Sequence, residues 1–135
     1  MRVLIIDGQG GGLGRQLVGA VKARFPEVEV LAVGTNSAAT NAMLRAGADQ
    51  AATGENSVSV ASKRADVIIG PVGIVIADSM LGEITPQMAL AVGQSPAKRI
   101  LIPVNFCDNI IVGVTETSMT KNVENAVDAL ARLIG

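Results

Sequence analysis

Val3-Leu4-Ile5-Ile6-Asp7-Gly8-Gln9-Gly10-Gly11-Gly12-Leu13-Gly14 runs from a short apolar stretch through a glycine-rich turn into Leu17, Val21 and Phe25, which continue a four-residue spacing begun at Leu13. Aliphatic residues with β-branching suit a strand, and the i, i+4 recurrence suits an amphipathic helix. The stretch therefore reads as strand, turn, helix. Five glycines lie between positions 8 and 14. Residues without Cβ let a backbone turn sharply and bring its N–H groups close to an anion at a helix N-terminus.

The same alternation repeats along the chain. Pro26 ends the first helix, and Val28 to Val33 forms a second strand bounded by Gly34. Thr35, Asn36 and Ser37 offer oxygens to cap a helix through Met43 that stops at Gly47. A third strand is expected near Asp49 to Ala52, then a short helix through Val58 and Ala61. Asp66 to Gly70 forms a fourth strand before Pro71-Val72-Gly73 breaks the backbone; periodicity leaves Ile74 to Ala77 open between helix and strand. Thr85-Pro86 is a helix start, with the hydroxyl as N-cap and proline at the first helical position. Arg99 to Pro103 is a fifth strand. The gap to Ile110-Ile111-Val112-Gly113-Val114 has hairpin length, so a sixth, antiparallel strand is expected there. A last helix, capped at Thr120, places Val123, Val127, Leu130 and Ile134 on one face. The expectation is one domain over residues 1–135: a three-layer, doubly wound, Rossmann-like α/β fold. Its sheet is mainly parallel, of five to six strands, with an antiparallel last strand.

Composition narrows the function classes. The 135 residues are 49% hydrophobic with two Phe and no Trp or Tyr, so the core is built from aliphatic side chains, as in sheets buried on both faces. Only 17% of residues are charged, too little polar surface to cover a monomer, and a homo-oligomer is expected. Eleven basic against twelve acidic residues, with no basic run, argue against nucleic acid as a partner. No apolar run is long enough for a membrane helix, and a cytoplasmic location is the expectation. Histidine is absent, which excludes a Ser-His-Asp triad and a His-based metal site. The single cysteine, Cys107, excludes an intrachain disulfide; beside Asp108 it reads as an unactivated thiol.

In the glycine turn, Gly8, Gly12 and Gly14 fit G-x-x-x-G-x-G, whereas Leu13 occupies the slot where G-x-G-x-x-G from Gly8 needs its third glycine. That spacing resembles the nucleotide-binding turn of short-chain dehydrogenases over about the first 35 residues. It implies a phosphate site, but the Tyr of that family's catalytic Tyr-x-x-x-Lys pair has no counterpart. Residues 65–105, with Gly70-Pro71, Thr85-Pro86 and Lys98 to Asn105, weakly resemble the phospholactate transferase and gluconeogenesis-factor group, which implies a diphosphate-containing ligand. Asp7 to Gly12, Gly34-Thr35-Asn36, Ala52-Thr53-Gly54-Glu55-Asn56 and Ser79 to Pro86 together resemble a small bacterial family labelled only as a domain of unknown function.

Loops at the carboxyl ends of parallel strands gather along one edge of a sheet. The candidate binding residues are therefore Gly8, Gln9, Gly10, Gly11, Gly12, Leu13 and Gly14; Gly34, Thr35, Asn36 and Ser37; Thr53, Gly54, Glu55 and Asn56; and Gly70, Pro71, Gly73 and Asn105. The end of the second strand lacks the Asp or Glu that accepts from a ribose 2′-hydroxyl, and its neutral donors suit a 2′-phosphate, so NADP is favoured over NAD, with another diphosphate nucleotide as the wider class. Helix capping would use the same Thr35, Asn36 and Ser37, and both readings stand. Asp78 and Glu83 are considered as a carboxylate pair or magnesium site, against the commoner role of solvated loop acids. The expected function is binding of a phosphate-bearing small molecule. The alternatives are a structural or regulatory homo-oligomer without catalysis, and a small enzyme whose active site is completed at a subunit interface.

Overall fold

A computed structural model describes residues 1–104, 108–115 and 118–135. Five strands form one sheet in the order β3-β2-β1-β4-β5, all neighbours parallel. The elements follow the expected alternation: β1 (Arg2–Asp7), α1 (Gly12–Arg24), β2 (Glu29–Gly34), α2 (Ser37–Arg45), β3 (Gln50–Thr53), α3 (Glu55–Arg64), β4 (Val67–Pro71), α4 (Pro86–Gln94), β5 (Lys98–Ile102) and α5 (Met119–Ile134). The order reverses between β1 and β4, so the turn after β1 opens at the crevice where ligands bind in doubly wound sheets.

Period-two alternation within β1 divides the core. Val3 and Ile5 face a cluster with Leu17, Val21, Met43 and Leu130 from α1, α2 and α5, whereas Leu4 and Ile6 face Val58, Ile84 and Val92 on the side of α3 and α4. These β1 side chains are completely buried, which is why the strand reads as a continuous apolar run. Burying each contributes about 1.5–3 kcal/mol relative to exposure.

Several expectations are corrected. Residues 110–114 form no strand, and β5 has a strand neighbour on one side only among the described residues. Gly113 has φ 84°, incompatible with extended backbone, and Ile110 and Val112 are each 90% exposed, so no buried face rewards pairing. Of the open stretch after β4, Ile74 and Val75 end a 3-10 turn, Val72–Val75, and Ile76 and Ala77 form neither helix nor strand. The α5 cap is Ser118, whose hydroxyl accepts from the Lys121 N–H at 3.3 Å, and Thr120 lies inside the helix. Val123, Val127 and Leu130 are buried, but Ile134 is 40% exposed at the helix end. Asn36 and Thr85 cap α2 and α4 as expected, accepting from the N–H groups of Ala39 at 2.9 Å and Met88 at 3.1 Å.

Candidate functional site

The register pairs Asp7 with Gly34 and Gly34 with Thr53, so the loops after β1, β2 and β3 leave the sheet at one edge. Backbone bonds bind them together: the Thr35 N–H donates to the Asp7 carbonyl at 3.0 Å and the Gly54 N–H to the Gly34 carbonyl at 2.9 Å. The Asn36 amide donates to the Gln9 carbonyl at 2.9 Å, joining the glycine turn to the loop after β2.

Asp7 is buried, and its Oδ2 accepts from the Gly14 N–H at 2.7 Å. Burial pushes its carboxyl above the usual range; the N–H groups of Gly14 and Gly8 pull it back, and the nearby Glu83 charge pushes it up. Helix α1 begins with Gly11 as N-cap in the left-handed region, φ 75°, with no side chain to cap it. Of the N–H groups around this helix start, Gly11 donates to the Gly8 carbonyl, Gly14 to Asp7 and Gln9 to Glu83. Those of Gly10, Gly12 and Leu13 have no hydrogen-bond partner among the described residues. Open N–H donors at the positive end of a helix dipole are an arrangement that favours anions in general.

The glycines divide by what a side chain would meet. A Cβ on Gly8 would lie 2.7 Å from Thr35 Oγ1 and 2.9 Å from both Glu83 Oε1 and Met80 Sδ. On Gly14 it would lie 2.6 Å from Met43 Sδ and 2.8 Å from Asp7 Cβ. Gly34 is closed off by Thr40 and Gly70 by the Ile6 carbonyl, so these two serve internal packing. At Gly10 and Gly12 a Cβ would meet nothing within 4 Å among the described residues.

Glu83 is the residue whose place the sequence did not reveal. Its Oε1 accepts from the Gln9 N–H at 2.8 Å, the Thr35 hydroxyl at 2.5 Å and the Asn36 amide at 2.9 Å. The Thr35 hydroxyl, then the Gln9 N–H and the Asn36 amide, hold its carboxyl below the usual range against the opposing effect of burial. The loop that carries it has an unusual backbone: Asp78, Met80 and Leu81 all have positive φ, 66°, 57° and 57°. Non-glycine residues there cost about 1–3 kcal/mol each, so the surroundings must hold them. Ser79, completely buried, donates to the Gly73 carbonyl at 2.5 Å; the Asp78 N–H donates to the Ile84 carbonyl at 2.7 Å, and the Met80 and Ile84 side chains are buried. Asp78 itself is exposed. Among the described residues no group of three or more Cys, Asp or Glu side chains is arranged to hold a metal ion.

The remaining candidates scatter around this centre. Ser37 is exposed at the first position of α2. Thr53 Oγ1 lies 2.6 Å from Thr40 Oγ1, and Gly54 precedes α3 with φ 103°. Glu55 Oε1 accepts from the Thr85 hydroxyl at 2.8 Å, tying α3 to the start of α4. Asn56 lines a separate groove between β3 and α3 with Leu31, Gln50, Ala51, Val60 and Arg64. Pro71 and Gly73 are buried, and the Gly73 carbonyl accepts from the Ser79 hydroxyl of the Glu83 loop. Asn105 and Cys107 lie outside the described residues. No helix among the described residues is long and apolar enough to cross a membrane.

No curated protein matches this chain. Among solved structures, it is similar to a dodecameric FMN-dependent Ubix-like decarboxylase from Escherichia coli O157:H7, with 20% identity and a TM-score of 0.47 over 98% of this chain and 75% of that one. The family described as "Domain of unknown function (DUF3842)" matches residues 2–135. Spanning the glycine turn, the Glu83 loop and every element of the sheet, that match shows that the chain belongs to the DUF3842 family.

Proposed function

We propose that this protein binds a nucleotide, seating a phosphate of a diphosphate-bearing ligand at the N-terminus of α1. The observation that carries the reading is the set of three open N–H donors at Gly10, Gly12 and Leu13, beside two glycines whose missing Cβ atoms relieve no clash. A glycine costs backbone entropy, and at Gly8 and Gly14 that cost secures internal packing. At Gly10 and Gly12 nothing among the described residues requires it, whereas a phosphate approaching the backbone does. The expectation of NADP treats Thr35, Asn36 and Ser37 as free donors; two of the three hold Glu83, so the phosphate seat retained here is the one at α1.

Calorimetry with NADP, NAD, ATP and a UDP-sugar tests the proposal. At least one should bind, and Gly12→Val should abolish that binding with an unchanged circular dichroism spectrum, because the new side chain occupies the phosphate seat. Failure of all four to bind at millimolar concentration would overturn it. Equal affinity in the variant would move the ligand elsewhere.

A second reading, a structural or regulatory homo-oligomer, is favoured by exposed apolar side chains: Leu81 is 99% exposed at the tip of the strained loop, and Ile110 and Val112 90%. The two readings are compatible. Leu81, two residues from Glu83, is where a neighbouring subunit would reach the site if the protein is an enzyme completed by its partner.

A further inference from the structure

We infer that Glu83 reads the sugar of the bound nucleotide, selecting a ribose with free 2′- and 3′-hydroxyls over one that carries a 2′-phosphate. This deepens the nucleotide reading and rests on the phosphate seat at α1. In a doubly wound sheet a nucleotide with its phosphates on the first helix extends its ribose across the end of β2, where an acid projecting from that strand end accepts from the sugar hydroxyls. Here that strand ends in Gly34-Thr35-Asn36-Ser37, without an acid. The structure supplies a carboxylate from a different part of the chain. Glu83 enters from the loop before α4 and bridges the glycine turn, through the Gln9 N–H, to the loop after β2, through Thr35 and Asn36.

All three donors converge on Oε1, while Oε2 accepts from no donor among the described residues. An ionised carboxylate is an acceptor only, so the open oxygen is suited to the O–H groups of a diol and repels a second anion. The same contacts remove the neutral donors that a 2′-phosphate would need: Thr35 and Asn36 are already turned to a negative charge. Three left-handed non-glycine residues in the loop fit this role, since they hold the carboxylate at one place over the turn.

Glu83→Gln separates charge from shape, because the amide oxygen can still accept from Gln9, Thr35 and Asn36. NAD and NADP differ at the 2′ position alone, and their affinities are measured by calorimetry for the parent and for this variant. The parent should bind NAD at least ~10-fold tighter than NADP, and the variant should shift that ratio toward NADP by about tenfold or more, as charge-assisted hydrogen bonds are roughly twice as strong as neutral ones. A staple that merely held two loops together would not change the ratio. A parent that binds NADP as tightly as NAD, or a ratio unchanged in Glu83→Gln, would overturn this inference and leave the phosphate seat standing. If ATP alone binds, its ribose presents the same diol and the comparison becomes ATP against 2′-deoxy-ATP; equal affinity of the two would overturn the inference and leave the phosphate seat standing. If no nucleotide binds, both fall. Should the variant not fold, the parent's own ratio decides.

Discussion

Replacing Gly12 and Gly14 by alanine should have opposite effects on stability, although the two positions lie one turn-residue apart in the same helix start. Gly12 is the first residue of α1; it has a negative φ, and a Cβ there meets nothing within 4 Å among the described residues. Alanine narrows the unfolded ensemble and fits the folded one, so Gly12→Ala should stabilise by about 0.4–1 kcal/mol. A Cβ on Gly14 would stand 2.6 Å from Met43 Sδ and 2.8 Å from Asp7 Cβ. The thioether can swing away, but Asp7 Cβ is fixed by the strand and by the bond from Oδ2 to the Gly14 N–H. Overpacking of this kind costs about 1–3 kcal/mol. A domain of this size has an unfolding entropy near ~0.28 kcal/mol/K, so the melting temperature should rise by about 1–4 °C for Gly12→Ala and fall by about 4–11 °C for Gly14→Ala. Calorimetric melting of the two variants beside the parent measures both. Equal losses would show that Gly12 is a structural glycine, which would remove the main support for a ligand at this turn.

Two further outcomes follow from the loop around Glu83. Its carboxyl is held below the ordinary value near 4.5, so it contributes stability that is present above that value and lost as the pH falls through the lowered folded one. Urea midpoints from pH 6 down to 3 should therefore fall less steeply for Glu83→Gln than for the parent; parallel profiles would mean the three hydrogen bonds do not persist in solution. Asp7, raised by burial, runs the other way: its ionised form is penalised by burial, and the penalty disappears as the pH falls through its raised value, so the parent's slope is the difference of the two. Leu81 adopts φ 57° while 99% exposed, so Leu81→Gly should raise the melting temperature of the monomer, a left-handed leucine costing about 1–2 kcal/mol. If Leu81 also seals a subunit contact, sedimentation should show the variant dissociating at concentrations where the parent does not; an unchanged assembly would place the interface elsewhere.

Much of this fold is legible in the sequence because it is local. Continuous apolar runs mark strands covered on both faces, four-residue spacings mark the helices, and Asn36 and Thr85-Pro86 carry their caps in their own chemistry. The expected sixth strand failed for a reason that no local pattern shows: Val, Ile and a hairpin-length gap suit a strand, but strands form by pairing, and Gly113 turns the backbone out of the extended region.

What the sequence by itself determined is the glycine-rich turn after β1 and the gathering of loops at one sheet edge, both consequences of glycine content and of parallel strand order. Only the tertiary structure decided which glycines face packing and which face open space. It also brought Glu83, 74 residues away from Gln9, onto the turn. That contact depends on a loop with left-handed Asp78, Met80 and Leu81, and the packing of Ser79, Met80 and Ile84 imposes that conformation, because nothing in the preferences of Met80 and Leu81 would choose it.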